Sequence, residues 1–336
     1  MQQQSDQPST GTSRAVRLDS FGGPEVLGLR EIPAPQAGPG QVRVRVTAAG
    51  LNPMDWIMTA DADTAARFGL SLPVGFGTDF AGVVDQVGDG VAGFGTDYAG
   101  VVDQVGDGVT GFAPGDRVFG GALSRAVADF VVIDPAGGTA ANEAHHTPDG
   151  VDDRTAATLT IAGRTASAAL AVVGPRPDDT VLIGGAAGGV GVFAVQLAQI
   201  AGARVIGTGS ATSSDFLRDL GAEPVAYGDG LADRVRALAP GGVTAAIDLH
   251  GTETAHTARE LGVPDGRICT VAAQVDGVPT ANGANAAPGA LEEVSRLVAA
   301  GRLRVPIAAS FPAGQIRRAV ELQAGRHVHG KVVIDL

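Results

Sequence analysis

The chain is poor in several residue types, and each scarcity excludes a class of protein or site. Cys269 is the single cysteine among 336 residues, which rules out an internal disulfide and a zinc site built from several cysteines. No run of about 18 consecutive apolar residues occurs, so no segment is predicted to span a membrane. Lys331 is the only lysine, and lysine and arginine nowhere cluster as they do in nucleic-acid-binding segments.

Negative charge, in contrast, is in excess. Lysine and arginine together number 24 against 36 aspartates and glutamates, which gives a formal net charge of −12. A surface of this charge repels nucleic acid and anionic membranes. The first 13 residues have neither a basic segment nor an apolar core, so we expect a disordered polar tail instead of a secretory signal, and a cytoplasmic protein.

The length and the texture of the chain predict two domains, at about 150 residues per domain. Residues 14–150 are short apolar runs cut by glycine, proline and aspartate, which is typical of a β-rich unit. Residues 151–300 alternate strands with helices, which favours an α/β unit with a doubly wound parallel sheet. The strand-like pieces within residues 301–336 are expected to return to the first domain.

An internal duplication interrupts the β-rich unit. Residues 75–92 and 93–110 are identical except at Phe80/Tyr98 and Ala92/Thr110. Two copies are too few to stack the core of a solenoid. The pattern therefore indicates a tandem duplication in which one copy forms the normal hairpin and the other is an insertion, and the sequence leaves open which copy is which.

The strongest motif is a glycine-rich turn between a short apolar strand and a helix. Residues 181–191 read VLIGGAAGGVG, in which Ala186, Gly188 and Gly191 fill an A-x-G-x-x-G form of the dinucleotide fingerprint. The missing side chains let the backbone approach a pyrophosphate, and the helix N-terminus offers free N–H groups. We therefore predict a Rossmann domain whose cofactor contacts come from Ala186, Ala187, Gly188, Gly189 and Val190.

The end of the next strand indicates which dinucleotide binds. An NAD site normally carries an acidic residue there to hold the ribose hydroxyl, whereas this strand ends in GTGS at residues 207–210. Small hydroxylated residues such as Ser210 and Ser213 leave room for a 2′-phosphate, so NADPH is favoured over NADH. The nearest cation, Arg218, either binds that phosphate or is a solvated helix residue. Because parallel sheets bind ligands at the carboxyl ends of their strands, three further residues are candidates to meet the nicotinamide: His250, Val271 and Ala272.

Several short motifs add to this turn: FGGPEVL at 21–27, AAGLNPMDW at 48–56, GDRV at 115–118, GRTA at 163–166 and GKVV at 330–333. With them the chain resembles the zinc-free medium-chain dehydrogenase/reductase superfamily, quinone oxidoreductase type, over nearly its whole length. The resemblance implies a GroES-like catalytic domain, closed by the C-terminal segment, beside the Rossmann domain. It places the active site in the cleft between them, and it implies a homodimer.

Departures from the zinc-dependent members of that superfamily imply a site without metal. Those relatives use cysteine and histidine ligands, whereas Thr78-Asp79 or Thr96-Asp97 stands where they carry a His-Glu pair. His145 and His146 are adjacent, with no third ligand at useful spacing. We therefore predict hydride transfer from a nicotinamide to a quinone or an enone, without zinc, instead of Lewis-acid alcohol chemistry.

The resemblance also implies roles for individual residues. Asn52 is expected close to the nicotinamide and the substrate, and Thr165 either approaches the nicotinamide or packs as an ordinary helix residue. Asp55 is either catalytic or a structural turn residue, and Trp56 is either an aromatic wall of the cleft or part of the core. Lys331 either faces the cofactor or is a salt-bridged strand residue.

The sequence offers no obvious proton donor. Tyr98, the only tyrosine of the first domain, is the alternative to protonation by solvent, which we expect. The predicted protein is an NADPH-dependent oxidoreductase acting on a small-molecule quinone or α,β-unsaturated carbonyl. Enoyl or enone reduction in a biosynthetic pathway is the closest alternative activity. A cofactor-binding protein of the same fold, with a non-redox role or a lost activity, is the alternative outside that class.

Overall fold

A computed structural model describes residues 11–87, 111–135 and 142–336. The first part of the chain is rich in strands, with two short helices after the third strand. Its elements are β1 (Thr12–Leu18), β2 (Gly28–Pro33), β3 (Val42–Leu51), α1 (Pro53–Ile57), α2 (Ala62–Arg67), β4 (Val74–Gly75), β5 (Asp79–Val87), β6 (Arg117–Ala122), β7 (Phe130–Ile133) and β8 (Asn142–His146).

The second part alternates helices and strands. Its elements are α3 (Asp153–Ala156), α4 (Thr160–Val173), β9 (Thr180–Gly184), α5 (Gly191–Ile200), β10 (Arg204–Gly209), α6 (Ser214–Asp219), β11 (Glu223–Ala226), α7 (Leu231–Leu238), β12 (Ala245–Asp248), α8 (Glu253–Glu260), β13 (Ile268–Thr270), α9 (Ala290–Ala299), β14 (Ile307–Pro312), α10 (Ile316–Ala324) and β15 (Lys331–Asp335).

One sheet joins the two ends of the chain. Its strand order is β14-β15-β3-β5-β6-β8, with β7 also paired to β3, and a smaller sheet has the order β2-β1-β4. The last strand, β15, runs antiparallel to β3 and sets Val333 opposite Gly50. This pairing carries Lys331, at the start of β15, to the end of β3 where α1 begins.

The other large sheet is parallel and has the order β11-β10-β9-β12-β13. The strand order reverses its direction at β9, which is where doubly wound sheets bind ligands, beyond the carboxyl ends of the strands. The predicted fold class, a Rossmann sheet combined with a GroES-like β-rich domain, is confirmed by this topology.

Local sequence patterns explain these elements. In β3, Val42, Val44 and Val46 are buried while Arg43 and Arg45 lie on the more exposed face, as expected for period-2 alternation. Helix α5 has apolar residues on nearly all sides, and it is buried on several sides, as that pattern predicts. Its Phe193 is fully buried in the core. That core also includes residues of the sheet that contains β3, β5 and β15, hereafter called the antiparallel sheet although β14 and β15 pair in parallel, so the two halves share packing.

The structure differs from the sequence prediction in three places. The alanine-rich pattern of residues 152–173 predicts one helical stretch, whereas the structure has two helices there, and the chain between α3 and α4 passes against β3. A Cβ on Gly50 would lie 2.1 Å from the carbonyl oxygen of Ala157, so the two backbones touch there. Strand β2 was not predicted, and β14 runs from Ile307 to Pro312 where a strand at residues 306–309 was expected.

The duplication is partly resolved by the fold. Strand β5 is built from the first copy and lies between β3 and β6. Residues 88–110, which contain the whole second copy and the end of the first, lie outside the described residues. In the described part of the chain, no helix is long and apolar enough to cross a membrane.

Candidate active site

A buried polar network lies where β3, β5 and β15 meet α1. It consists of Asn52, Asp55, Thr78, Asp79 and Lys331, each 3% exposed or less. The register of the sheet explains why these residues meet. Strand β15 pairs with the end of β3, and Gly50 on β3 lies opposite Asp79 on β5.

Asp55 is held at the first turn of α1. Its Oδ2 accepts a hydrogen bond from the backbone N–H of Asn52 at 2.8 Å, which caps the helix whose first residue is Pro53. Its Oδ1 accepts one from the hydroxyl of Thr78 at 2.8 Å. Burial raises the pKa of Asp55 to about 6, although these two hydrogen bonds favour the charged form.

Asp79 is the second buried carboxylate. Its Oδ2 accepts a hydrogen bond from Nδ2 of Asn52 at 3.0 Å, and its Oδ1 accepts one from the backbone N–H of Ile161, in the first turn of α4, at 3.2 Å. Burial raises the pKa of Asp79 to about 7, while the nearby Lys331 ammonium partly offsets that rise. Asp79 therefore sits between α4 of the second half and Asn52 of the first.

Lys331 is the cation of the network. Its Nζ donates to the carbonyl oxygen of Leu51 at 3.0 Å and to Oδ1 of Asn52 at 2.6 Å. Burial lowers the pKa of its ammonium, and the charges of Asp79 and Asp55 oppose that change. The Asn52 amide thus bridges a cation and a carboxylate, with its oxygen toward Lys331 and its nitrogen toward Asp79. Within the described ranges the ammonium of Lys331 forms no direct salt bridge, which disagrees with the salt-bridged alternative. Its role in facing the cofactor stays a prediction.

Trp56 is anchored beside this network. Its indole Nε1 donates to Oε1 of Gln323, on α10, at 3.1 Å, and Nε2 of Gln323 donates to the carbonyl oxygen of Leu51 at 2.9 Å. The ring is partly buried and packs against the core of the antiparallel sheet. This packing agrees with the hypothesis that Trp56 is part of the core. The alternative, an aromatic wall of the cleft, stays a prediction.

The glycine-rich turn lies next to Lys331. A Cβ on Gly189 would be 3.1 Å from Cδ of Lys331, and a Cβ on Gly191 would be 2.3 Å from the carbonyl oxygen of Gly185. Gly330 donates its N–H to the carbonyl oxygen of Ala187 at 2.9 Å, which ties the start of β15 to the turn. The turn and the buried polar network are therefore neighbours.

The start of α5 has the donors that an anion requires. Among the described residues, the N–H groups of Gly189, Val190 and Gly191 have no hydrogen-bond acceptor in the protein. Ala186 and Gly188 complete the turn. A side chain at Gly188 or Gly191 would come close to the carbonyl oxygen of Gly185, so a larger residue there would distort the turn. A pyrophosphate fits this cradle, because a helix N-terminus with free N–H groups favours anions.

The end of β10 carries hydroxyl groups and no carboxylate. The hydroxyl of Ser210 lies 2.8 Å from those of Thr212 and Ser213. Arg218 is exposed on α6 and forms an ion pair with Asp215 at 2.7 Å. The guanidinium of Arg218 is thus paired with a neighbouring carboxylate on the exposed surface of α6. This agrees with the hypothesis that Arg218 is a solvated helix residue.

Other predicted residues lie near the glycine-rich turn, after β13 or on α4. The N–H of His250 donates to Oδ1 of Asp248 at 3.1 Å, which places His250 at the carboxyl end of β12, next to Gly185. Val271 and Ala272 follow β13 directly. Thr165 is buried on α4, and a Cβ on Gly283 would lie 3.4 Å from its hydroxyl. Tyr98 lies outside the described residues.

The sequence did not single out Thr78, Asp79 and Gln323 as site residues. One feature of the sequence could have indicated Thr78 and Asp79: they are two adjacent polar residues directly before an apolar strand. Gln323 carried none, because its contacts depend on how α10 docks. A partly buried ion pair was also missed: Nη2 of Arg164 on α4 lies 2.5 Å from Oε2 of Glu143 on β8.

The donor set does not fit a zinc ion. Structural and catalytic zinc sites are built from cysteine, histidine and carboxylate ligands around an open centre, whereas the network offers an amide, a hydroxyl and two carboxylates around an ammonium. In the described ranges, no three histidine, cysteine or acidic side chains are grouped so that they could hold a metal ion. We derive no step through a metal.

Comparison with known proteins yields two family profiles. A profile described as "Alcohol dehydrogenase GroES-like domain" matches residues 38–96, and one described as "Zinc-binding dehydrogenase" matches residues 189–299. The second includes the glycine-rich turn from Gly189 onward. The two matches fall on the β-rich and the parallel-sheet parts of the fold.

Relatives of known name are similar over much of the chain. A quinone oxidoreductase of Pseudomonas aeruginosa is 30% identical over an alignment covering 96% of this chain and 99% of that protein. A quinone oxidoreductase of Rattus norvegicus is 34% identical over 63% of this chain, and the match spans 57% of the rat protein. A mycocerosic acid synthase-like polyketide synthase of Mycobacterium tuberculosis is 35% identical over 56% of this chain and 8% of its own length.

Solved structures share the fold. The quinone oxidoreductase of Coxiella burnetii superposes with a TM-score of 0.79 at 28% identity, covering 97% of this chain and all of the other (100%). A mycobacterial protein solved in complex with NADPH superposes with a TM-score of 0.79 at 26% identity, covering 96% of this chain and 100% of that one.

Proposed function

This chain belongs to the medium-chain dehydrogenase/reductase superfamily, in its quinone oxidoreductase type. We propose that it uses NADPH to reduce a quinone or an α,β-unsaturated carbonyl and that it does so without zinc. It is an oxidoreductase of a family that uses nicotinamide cofactors. The preference for NADPH, the acceptor class and a cytoplasmic, homodimeric enzyme are parts of the proposal.

One observation carries the proposal: the glycine-rich turn and the buried polar network adjoin at Lys331. The free N–H groups of Gly189, Val190 and Gly191 would hold the pyrophosphate. Asn52 and Lys331 lie directly beyond that turn. The bound nicotinamide would supply the hydride, so the protein has to position the acceptor and stabilise the negative charge that develops on it.

The hydroxyl cluster at the end of β10 supports NADPH over NADH. The hydroxyls of Ser210, Thr212 and Ser213 can bond to a 2′-phosphate, and residues 207–213 include no acidic residue that would repel it or hold a ribose hydroxyl. The likeness to a mycobacterial protein solved with NADPH supports the same preference. We therefore expect NADPH to bind at least tenfold more tightly than NADH.

The buried polar network supports an acceptor that becomes anionic. The ammonium of Lys331, held by two acceptors, is a local positive charge at a buried position, where an electrostatic interaction is stronger than in water. Quinones and enones both accumulate charge on a carbonyl oxygen after hydride addition. The similarity to a segment of a polyketide synthase favours a role in a biosynthetic pathway, and enoyl or enone reduction in such a pathway is the second candidate activity.

A panel of acceptors tests the proposal. Consumption of NADPH would be followed with benzoquinones, naphthoquinones and α,β-unsaturated ketones, with NADH in parallel. Turnover with one acceptor class and NADPH is the expected result. Tight NADPH binding without oxidation by any acceptor would contradict the proposal and favour a cofactor-binding protein without redox activity.

A further inference from the structure

One row of residues crosses the antiparallel sheet beside the buried polar network. In this row Gly50 lies opposite Asp79, Asp79 lies opposite Gly121, and Gly121 lies opposite Glu143. Residues that lie opposite each other on neighbouring strands point to the same face of a sheet. Asp79, which belongs to the network, and Glu143, which does not, are therefore two carboxylates on one face.

Three contacts join this row to the chain at the start of the second half. They pair Gly50 with Ala157, Asp79 with Ile161 and Glu143 with Arg164. Residues 157, 161 and 164 have the spacing i, i+4 and i+7 of one helix face. The first turns of α4 and the residues before them thus lie along the row and are held at three points.

Arg164 makes the longest of these contacts. Neighbouring strands lie about 4.8 Å apart, so the Cα atoms of Glu143 and Asp79 are about 10 Å apart, whereas residues 161 and 164 are about 4.5 Å apart along a helix axis. The length of the arginine side chain makes up this difference, and Gly121, between the two carboxylates, has no side chain. Nη2 of Arg164 thereby reaches Oε2 of Glu143 at 2.5 Å.

Glu143 and Arg164 have few other partners. Glu143 is 3% exposed, and its Oε2 is also 3.2 Å from Nε2 of His145, whose Nδ1 lies 3.7 Å from Oε1 of Glu292 on α9. Within the described ranges, Arg164 has no acceptor except Glu143, and its Nε is buried without a partner. Loss of Glu143 would leave a mostly buried guanidinium unpaired, which is unfavourable unless α4 shifts to bring it to water.

Helix α4 relates the two halves of the protein at the candidate active site. It packs in one shared core against α5, which begins at the glycine-rich turn. Its first turn donates the N–H of Ile161 to Asp79, and Asp79 contacts Asn52. In the proposed function the turn holds the cofactor, so the place of α4 on the sheet sets the distance between the cofactor and Asn52.

We propose that Glu143 is a positioning residue for hydride transfer, which acts through Arg164 and α4. The inference rests on the proposed function. Glu143 holds α4 three residues beyond Ile161, and it exchanges no proton or electron with the acceptor. A displacement of about 1 Å between reacting groups can lower a rate about 100-fold, so loss of the ion pair should slow hydride transfer without removing the cofactor site.

Two variants separate this role from a contribution to stability. Glu143→Met removes one member of the ion pair and should lower the urea midpoint of unfolding, because it leaves the guanidinium unpaired. Glu143→Met combined with Arg164→Met removes both charges and should restore the midpoint, since apolar replacement of a whole buried ion pair is often neutral or stabilising.

Hydride transfer should not recover with stability. The rate constant of single-turnover transfer should stay about tenfold to 100-fold below that of the wild type in both variants. The dissociation constant of NADPH should stay within about threefold of the wild-type value, because the free N–H groups of the turn are untouched.

Amide hydrogen exchange of the cofactor-free protein tests the placement of α4 directly. Exchange of the Ile161 N–H should rise by about tenfold or more in the double variant, whereas that of Val195, in the middle of α5, should not change. Asp85→Asn is the matched control, because it breaks a mostly buried ion pair with Arg43 in the same sheet. It should keep both the rate constant and the Ile161 exchange of the wild type.

Wild-type hydride transfer by the stable double variant would overturn the proposal, and so would an unchanged exchange of Ile161. A wild-type protein that binds NADPH but transfers no hydride would instead contradict the proposed function. The exchange measurement needs no cofactor, so it would still decide whether Glu143 places α4 on the sheet.

Discussion

Replacing Lys331 by methionine should destabilise the protein more at high pH than at low pH. The substitution keeps a long apolar stem and removes the cation that faces Asp79 and Asp55. It leaves Oδ1 of Asn52 without its donor, while the carbonyl oxygen of Leu51 keeps its hydrogen bond from Gln323. An unsatisfied buried acceptor costs about 1–3 kcal/mol. We therefore expect the free energy of unfolding of the variant to be lower than that of the wild type by this amount near pH 6.

The dependence on pH follows from Asp79. An acid whose pKa is raised in the folded state, here to about 7, binds more protons folded than unfolded, so stability is lost as pH rises toward that value. Without Lys331 the pKa of Asp79 rises by about 1–3 units more, and the loss continues above pH 7. At about 1.4 kcal/mol per unit, the variant should lose about 1.2–2 kcal/mol more at pH 8.5 than at pH 6. Burial lowers the pKa of the Lys331 ammonium, so this group makes the wild type more stable as pH rises. The variant lacks that gain, which also makes its relative loss larger at pH 8.5.

Urea unfolding of both proteins at pH 6 and pH 8.5 measures the effect. Arg43→Met is the matched control, since it removes a cation from the same sheet, paired with Asp85, and leaves the buried polar network intact. Its cost should not grow between the two pH values. A Lys331→Met loss that is equal at both pH values, or smaller at pH 8.5, would refute this account of the network.

Three further substitutions test separate parts of the site. Gly189→Val should abolish NADPH binding in a fluorescence titration while the protein stays folded, because its Cβ would crowd Cδ of Lys331 and cover the free N–H groups. Ser210→Asp should weaken NADPH at least tenfold and leave NADH unchanged or improved, and equal effects on both cofactors would contradict the position assigned to the 2′-phosphate. Thr78→Val should cost about 1–3 kcal/mol in unfolding experiments by removing the hydroxyl donor from Asp55, whereas no loss would show that this hydrogen bond is dispensable.

The parts of the fold that local sequence specifies were predictable. The glycine-rich turn could be recognised because strand, turn and helix are contiguous, and each close approach at Gly189 and Gly191 requires the absence of a side chain. Alternation in β3 predicted its buried valines for the same reason, since the period of a strand is a local property.

The buried polar network was not predictable as a unit, because its members come from separate segments. Asn52 and Asp55 are near in sequence, but Asp79 reaches them through the register of β5, and Lys331 through a strand at the other end of the chain. The sequence named all five positions, either as candidates or as substitutes for zinc ligands, without showing that one amide joins Asp79 to Lys331. Only the pairing of β3 with β5 and β15 creates that contact.

The duplication is an intermediate case. The sequence showed two nearly identical copies and could not say which one enters the sheet, since both carry the same strand pattern. The flanking strands decide it: β5 continues from the chain after β4 and pairs with β3 and β6, so the first copy forms the strand.

The central claim is hydride transfer from NADPH to a carbonyl acceptor at this site. The most direct measurement is a single-turnover reaction of the protein with NADPH deuterated at the transferable position of the nicotinamide and with excess quinone or enone. The account predicts oxidation of one cofactor per site with a primary kinetic isotope effect, and loss of that reaction in Gly189→Val. Oxidation that shows no isotope effect and is equally fast without the protein would contradict it.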